Sequence, residues 1–119
     1  MSYDLRLVDP VTGDCLELTE PHFMQGGTWE PNGTKRATLN ITSKHIANMR
    51  RVIDPEAGIR VLYGQTGAES LPLLEKAISL LGTDVDKDLW KPTEGNLRLA
   101  LTQLAALATL LPKGVWKGD

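Results

Sequence analysis

Cysteine is almost absent. The one thiol, Cys15, has no partner within the 119 residues, so no intrachain disulfide can brace the fold. No charged and apolar leader opens the sequence either, and a reducing cytoplasm is the expected setting. Aromatic residues are scarce at 5%, which leaves the core to aliphatic side chains. Positive charge is not in excess. With 13 Lys and Arg against 15 Asp and Glu, the net charge is −2, and no global field exists to hold a nucleic-acid backbone. No apolar run reaches the ~20 residues of a membrane span, because the longest, Leu97 to Leu111, is interrupted by Arg98, Thr102, Gln103 and Thr109.

Catalytic signatures are missing as well. Only two histidines are present, and the candidate nucleophiles Cys15, Ser43 and Ser70 each lack a base whose proximity can be argued. Neither a zinc spacing nor a dinucleotide fingerprint occurs, so no catalytic residue, metal or cofactor is assigned. Asn32-Gly33-Thr34 and Asn40-Ile41-Thr42 fit the glycosylation sequon, but without a secretory signal they read as turn and strand chemistry.

What is present suffices for one domain over 1–119. Tyr3 to Val8 and Cys15 to Leu18 alternate with the period of a half-buried strand, and Asp9-Pro10-Val11-Thr12-Gly13-Asp14 between them predicts a hairpin. Residues 20–34, with Pro21, Gly26-Gly27, Pro31 and Asn32-Gly33, show no periodicity and read as a long loop. Lys35 to Thr42 alternates again as a third strand. Ser43 is placed to cap a short helix over 43–53, and Ile59 to Tyr63 reads as a fourth strand.

Thr66-Gly67-Ala68-Glu69 has capping-box spacing, yet Pro72 would strain a helix begun at Thr66, and Ser70 is the preferred cap. That helix is expected to end at Gly82 in a left-handed cap. A longer helix starts around Pro92 to Asn96 and runs to Leu111. It is apolar over most of its circumference, so it needs cover from the sheet, the preceding helix or a second subunit. Strands first and helices last make an α+β fold: a hairpin and sheet of about four strands over 1–63, and mostly helix over 64–119.

Four features carry possible chemistry. Asp84-Val85-Asp86-Lys87-Asp88 starts like a calcium loop, but Leu89 stands where the turn glycine belongs and Gly95 where the bidentate glutamate belongs, so it reads as a solvated acidic linker. Gly64-Gln65-Thr66-Gly67-Ala68 offers a glycine turn at a helix start, an arrangement that attracts anions, although it serves equally as a plain cap. Arg36, Lys44, His45, Arg50, Arg51 and Arg60 concentrate positive charge, either as an anion-binding face or as an exposed face balanced by Asp54, Glu56 and Glu69. Trp29 lies in the long loop, free to stack on a base or to cover the core. Trp90 and Trp116 are expected to pack the two ends of the last helix, and His22 reads as a surface hydrogen-bonder.

Leu39-Asn40-Ile41-Thr42, Gly58-Ile59-Arg60, Tyr63 to Ser70, Trp90-Lys91-Pro92-Thr93-Glu94-Gly95-Asn96 and Gly114 to Asp119 together resemble a family of small bacteriophage and prophage proteins of unknown activity. The resemblance runs over nearly the whole chain. It implies an intracellular, phage-encoded accessory protein, a class that often counters host defence. The expectation is then a homo-oligomeric binding protein that sequesters a phosphorylated molecule such as a nucleotide immune signal. Gly64, Thr66, Gly67 and Ala68, with Arg36, Arg50, Arg51, Arg60, His45 and Trp29, would form its site. The alternatives are an inhibitor that occupies a host defence protein through 20–34 and 83–91, or a small virion or replication-accessory subunit.

Overall fold

The computed structural model describes residues 2–24 and 29–119. It is α+β, with five strands in two antiparallel sheets and three α-helices. Strand β1 (Ser2–Val8) is the centre of a three-stranded sheet, with β4 (Thr38–Thr42) on one side and β5 (Val115–Gly118) on the other. The alternation of β1 decides its orientation. Tyr3, Leu5 and Leu7 face inward, and the register sets Tyr3 opposite Ile41, Leu5 opposite Leu39 and Leu7 opposite Trp116. Asp4, Arg6, Asn40 and Lys117 stand on the outer, polar face.

The expected first hairpin forms only in part. Asp9 caps the turn by accepting from the Val11 and Thr12 N–H groups at 2.8 and 3.0 Å, and the chain returns to bridge Val8 with Cys15. The Leu16 carbonyl then accepts from the Ala37 N–H, and the chain leaves the sheet. It continues as β2 (Glu17–Met24), which pairs with β3 (Trp29–Arg36) in a ribbon of its own. A loop over 20–34 is therefore corrected to a β-ribbon, with Gly26-Gly27 outside the described residues. The ribbon has almost no buried face, so it carries no hydrophobic period to read.

Two further expectations are corrected. The fourth strand is a 3-10 helix, Gly58–Leu62. Ile59 and Leu62 are the buried side chains there, three residues apart, and Asp54 secures the entry by accepting from the Glu56 and Ala57 N–H groups. The sheet position left open is filled by β5, too short a run to show an alternation. The short helix at 43–53 resolves into a 3-10 turn, Ser43–His45, capped by Thr42 rather than Ser43, followed by α1 (Ile46–Val52).

Helix α2 (Gly67–Ser79) starts from Thr66, not Ser70. The Glu69 N–H donates to Thr66 Oγ1 at 3.1 Å and the Thr66 N–H to Glu69 Oε1 at 2.8 Å, while Gly67 and Ala68 donate to the carbonyls of Gly114 and Pro112. These four bonds outweigh the one donor that Pro72 cannot supply inside the helix. Gly67 is needed here, since a Cβ would lie 2.8 Å from the Leu111 carbonyl oxygen and 3.0 Å from that of Ala108. The helix ends through Leu80, and Gly82 does not take the left-handed conformation.

Helix α3 (Glu94–Leu110) is capped by Thr93 and packs Leu97, Ala100, Leu101, Leu104, Leu107 and Ala108 into the core against α2 and the sheet. The acidic connector crosses its first turn so closely that a Cβ on Gly95 would sit 2.5 Å from the Asp84 carbonyl carbon. Asn96, 3% exposed, fixes that crossing. Its Oδ1 accepts from the Asp86 N–H, and its Nδ2 donates to the carbonyls of Asp88 and Lys91. Asp84, Asp86 and Asp88 are likewise engaged, accepting from the N–H groups of Gly95, Asp88 and Trp90.

His45 is a buried titratable group, 2% exposed, and its Nδ1 has no hydrogen-bond partner. Burial alone depresses its pKa below the ordinary value near 6.5. The sign follows from that depression. The unfolded chain takes up a proton near pH 6.5 while the folded chain refuses it, so stability is full above that pH and is lost progressively as the pH falls below it. Urea midpoints of wild type and His45→Leu from pH 7.5 to 5.5 are expected to diverge, with wild type losing more on acidification. Parallel curves would show that His45 is not the source.

Candidate functional site

The turn from Gly64 to Ser70 is the first place to test, and its backbone donors are already spent. Gly64 donates to the Trp116 carbonyl, Gln65 to Leu62, Gly67 to Gly114, Ala68 to Pro112 and Ser70 to Thr66, while Thr66 and Glu69 exchange the capping-box bonds. The Thr66 N–H also holds the Glu69 carboxyl below the ordinary carboxylate range, so a negative group already occupies the helix start. No N–H from 64 to 70 is left for a phosphate. The turn is an attachment point between α2 and β5.

Arg36, Arg50, Arg51 and Arg60 stand on β3, α1 and the 3-10 helix Gly58–Leu62, outside the turn itself. Arg36 ends β3, its carbonyl oxygen 2.7 Å from His22 Nε2. Arg51 on α1 forms an ion pair with Glu94 at 3.3 Å, and Arg50 lies exposed on the same helix with its stem beside Gly58. Arg60 stacks over the Tyr3 ring at 5.1 Å and donates from Nε to the Asp119 carbonyl. His45 is buried and presents no proton to solvent. The backbone of Trp29 closes the ribbon opposite Met24, and its indole lies outside the described residues.

Another surface stands out. Three neighbouring depressions, of about 380, 400 and 180 Å³, share Leu110 at the end of α3. The first lies between α3 and the ribbon, walled by Leu18, His22 and Phe23 on one side and Gln103, Ala106 and Leu107 on the other, with Leu39 contributing from β4. The second is bounded by Leu16, Leu111 and Pro112, and the third by Leu18, with Glu17 and Glu20 at its rim. Leu110 is 64% exposed and Phe23 37%.

The helix facing these depressions has an unusual outer surface. Leu99, Thr102, Ala106, Thr109 and Leu110 are exposed and Gln103 partly so, and from Leu99 to Leu110 no residue is charged. Burying the opposite side in the core explains the inner leucines but not the outer ones. A helix side left in water ordinarily carries Lys, Glu or Arg. Sequence reasoning expects this helix to need cover over most of its circumference but does not single out Leu99 or Leu110. The signal was there as a run of twelve residues without a charge.

Among the described residues, no group of three His, Cys, Asp or Glu could hold a metal, and no helix is long and apolar enough to cross a membrane. Comparison of the chain with family models, with curated proteins and with solved structures finds no match.

Proposed function

We propose that this chain is a protein-binding module without catalytic chemistry of its own, and that its partner docks on the apolar surface made by the outer side of α3 and the β2–β3 ribbon. The observation that carries the reading is the uncharged exposed arc from Leu99 to Leu110 set beside depressions that share Leu110. Depletion of charge with retention of leucine and phenylalanine marks the centre of a protein interface rather than a solvated face. This reading follows the alternative of an inhibitor that occupies a host protein, expected to bind through 20–34 and 83–91, and takes the outer side of α3 in place of 83–91. The backbone N–H groups of the 64–68 turn are bonded within the chain, so the reading does not draw on them. In the phage setting implied by the resemblance, the partner would be a host defence protein, and the module would act by occupying it.

A photo-reactive side chain at Gln103, compared with one at Arg6 on the outer sheet face, tests the reading in cells producing the chain. A protein adduct is expected at 103, absent at 6, and lost when Leu110→Glu is added. Equal adducts at both positions, or none at 103, would overturn it.

A further inference from the structure

We propose that Asn32-Gly33 is a self-modifying site, at which the Asn32 amide of the folded chain is converted to a carboxylate without an enzyme. The pair fits the glycosylation sequon by sequence, but its place in the ribbon gives it a different chemistry. Glycine has no side chain to screen its own backbone nitrogen, so that nitrogen can attack the amide carbon of a preceding asparagine. The step needs an asparagine whose amide is free to turn and whose backbone is not held extended by a strand ladder.

The four asparagines of the chain differ sharply in this respect. Asn40 donates to Ser2 and Asp4 and precedes the β-branched Ile41, Asn48 accepts from Arg51 within α1, and Asn96 is buried with three bonds. Asn32 is exposed, and among the described residues nothing bonds its amide. Its backbone lies in the most irregular stretch of the ribbon. His22 pairs with Thr34 and Met24 with Trp29, so the residues of β3 from Glu30 to Gly33 all stand against the single Phe23 of β2. The surplus residues of such a bulge are left without ladder partners. Gly33 takes a φ of +68°, a departure from the strand conformation that glycine adopts without strain.

The chemistry closes on itself. The Gly33 nitrogen gives its proton to hydroxide and bonds to Asn32 Cγ, the Cγ–Nδ2 bond breaks, and ammonia leaves. Water then opens the resulting succinimide ring. Attack at Cγ gives aspartate, and attack at the main-chain carbonyl gives isoaspartate, whose main chain runs through the former side chain. One water enters and one ammonia departs, and the formal charge of −2 gains a further negative unit.

The product lands behind the depression of about 380 Å³. A Cβ on Gly33 would lie 2.9 Å from the Phe23 ring, so this ring rests on the backbone that isoaspartate lengthens by a methylene, and Phe23 walls the depression beside Leu110. Ageing therefore changes both the charge and the shape of this surface, whatever binds there.

The purified chain, kept folded at mildly alkaline pH and physiological temperature, provides the test. Peptide mass spectrometry should show Asn32 converting at least ~10-fold faster than Asn40, Asn48 or Asn96, with a rate that rises with pH. An isoaspartyl methyltransferase should then label the peptide that holds residue 32. Asn32→Gln, whose longer amide closes a ring far more slowly, should lose both signals while circular dichroism shows the same fold. Aged wild type should also shift the ring resonances of Phe23, the one phenylalanine of the chain, and Asn32→Asp should shift them less because its main chain keeps its length. Conversion that proceeds in urea but leaves Asn32 intact in the folded chain would overturn the proposal, as would equal rates at all four asparagines. An unmoved Phe23 ring after conversion would overturn the effect on the depression.

Discussion

Trp116→Ala is expected to cost about 3–5 kcal/mol, a large share of the roughly 5–15 kcal/mol that holds a domain folded. The indole is fully buried, with Nε1 donating to Ser70 Oγ at 2.9 Å, and that hydroxyl in turn donates to the Gly67 carbonyl at 2.8 Å. The backbone of Trp116 is no less engaged, donating to the Gln65 carbonyl and accepting from Gly64. One residue therefore ties β5, the start of α2 and the core leucines together. Trp116→Phe should retain most of the apolar packing and cost about 1–3 kcal/mol, chiefly through the lost indole donor. Urea unfolding followed by far-UV circular dichroism gives both numbers. A loss under about 1 kcal/mol for the alanine variant would mean that β5 is not integral to the fold.

Asn96→Ala should be nearly as damaging, at about 3 kcal/mol, because it strands an N–H and two carbonyls that the amide satisfied. Asn96→Asp makes the sharper comparison. A carboxylate still accepts from the Asp86 N–H, but it has no hydrogen to offer the carbonyls of Asp88 and Lys91 and repels both. At neutral pH it should be at least as unstable as the alanine variant, and the gap should narrow as acid protonates the carboxyl. Amide exchange should quicken first at Asp86 and through the connector. Unchanged exchange there would show that the crossing holds without Asn96.

These two residues also show what sequence could and could not disclose. The alternation of Tyr3, Leu5 and Leu7 and the inner leucines of α3 are local patterns tied to one buried face, and the α+β class follows from them. Thr66 and Glu69 announced the true start of α2, yet the helix penalty of Pro72 was weighed without the bonds from Gly67 and Ala68 to the chain near residue 113. Those bonds join segments more than 40 residues apart, and no local window contains them. β5 was hidden for the same reason, as four residues whose partners are β1 and the 64–66 turn. The ribbon was hidden for the opposite one, having no buried side to imprint a period. The expected anion site at the 64–68 turn rests on an accounting that no local window supplies. Glycines at a helix start say that donors are present, not whether the rest of the chain has claimed them.

The antiparallel pairing of β1 with β5 has a consequence for how the chain finds its fold. Leu7 meets Trp116, and Asp4 donates its N–H to Asp119, so the centre of the sheet awaits a closure across 115 residues. Such a closure is entropically costly and slow, and until it happens Leu5 and Leu7 lack their cover on that side. Rearranging the connectivity reverses the order. Joining residue 119 to residue 2 through a few glycines and opening the chain at the exposed Val11 turn would make this most distant pairing a simple hairpin, and folding would begin at the place where it now ends.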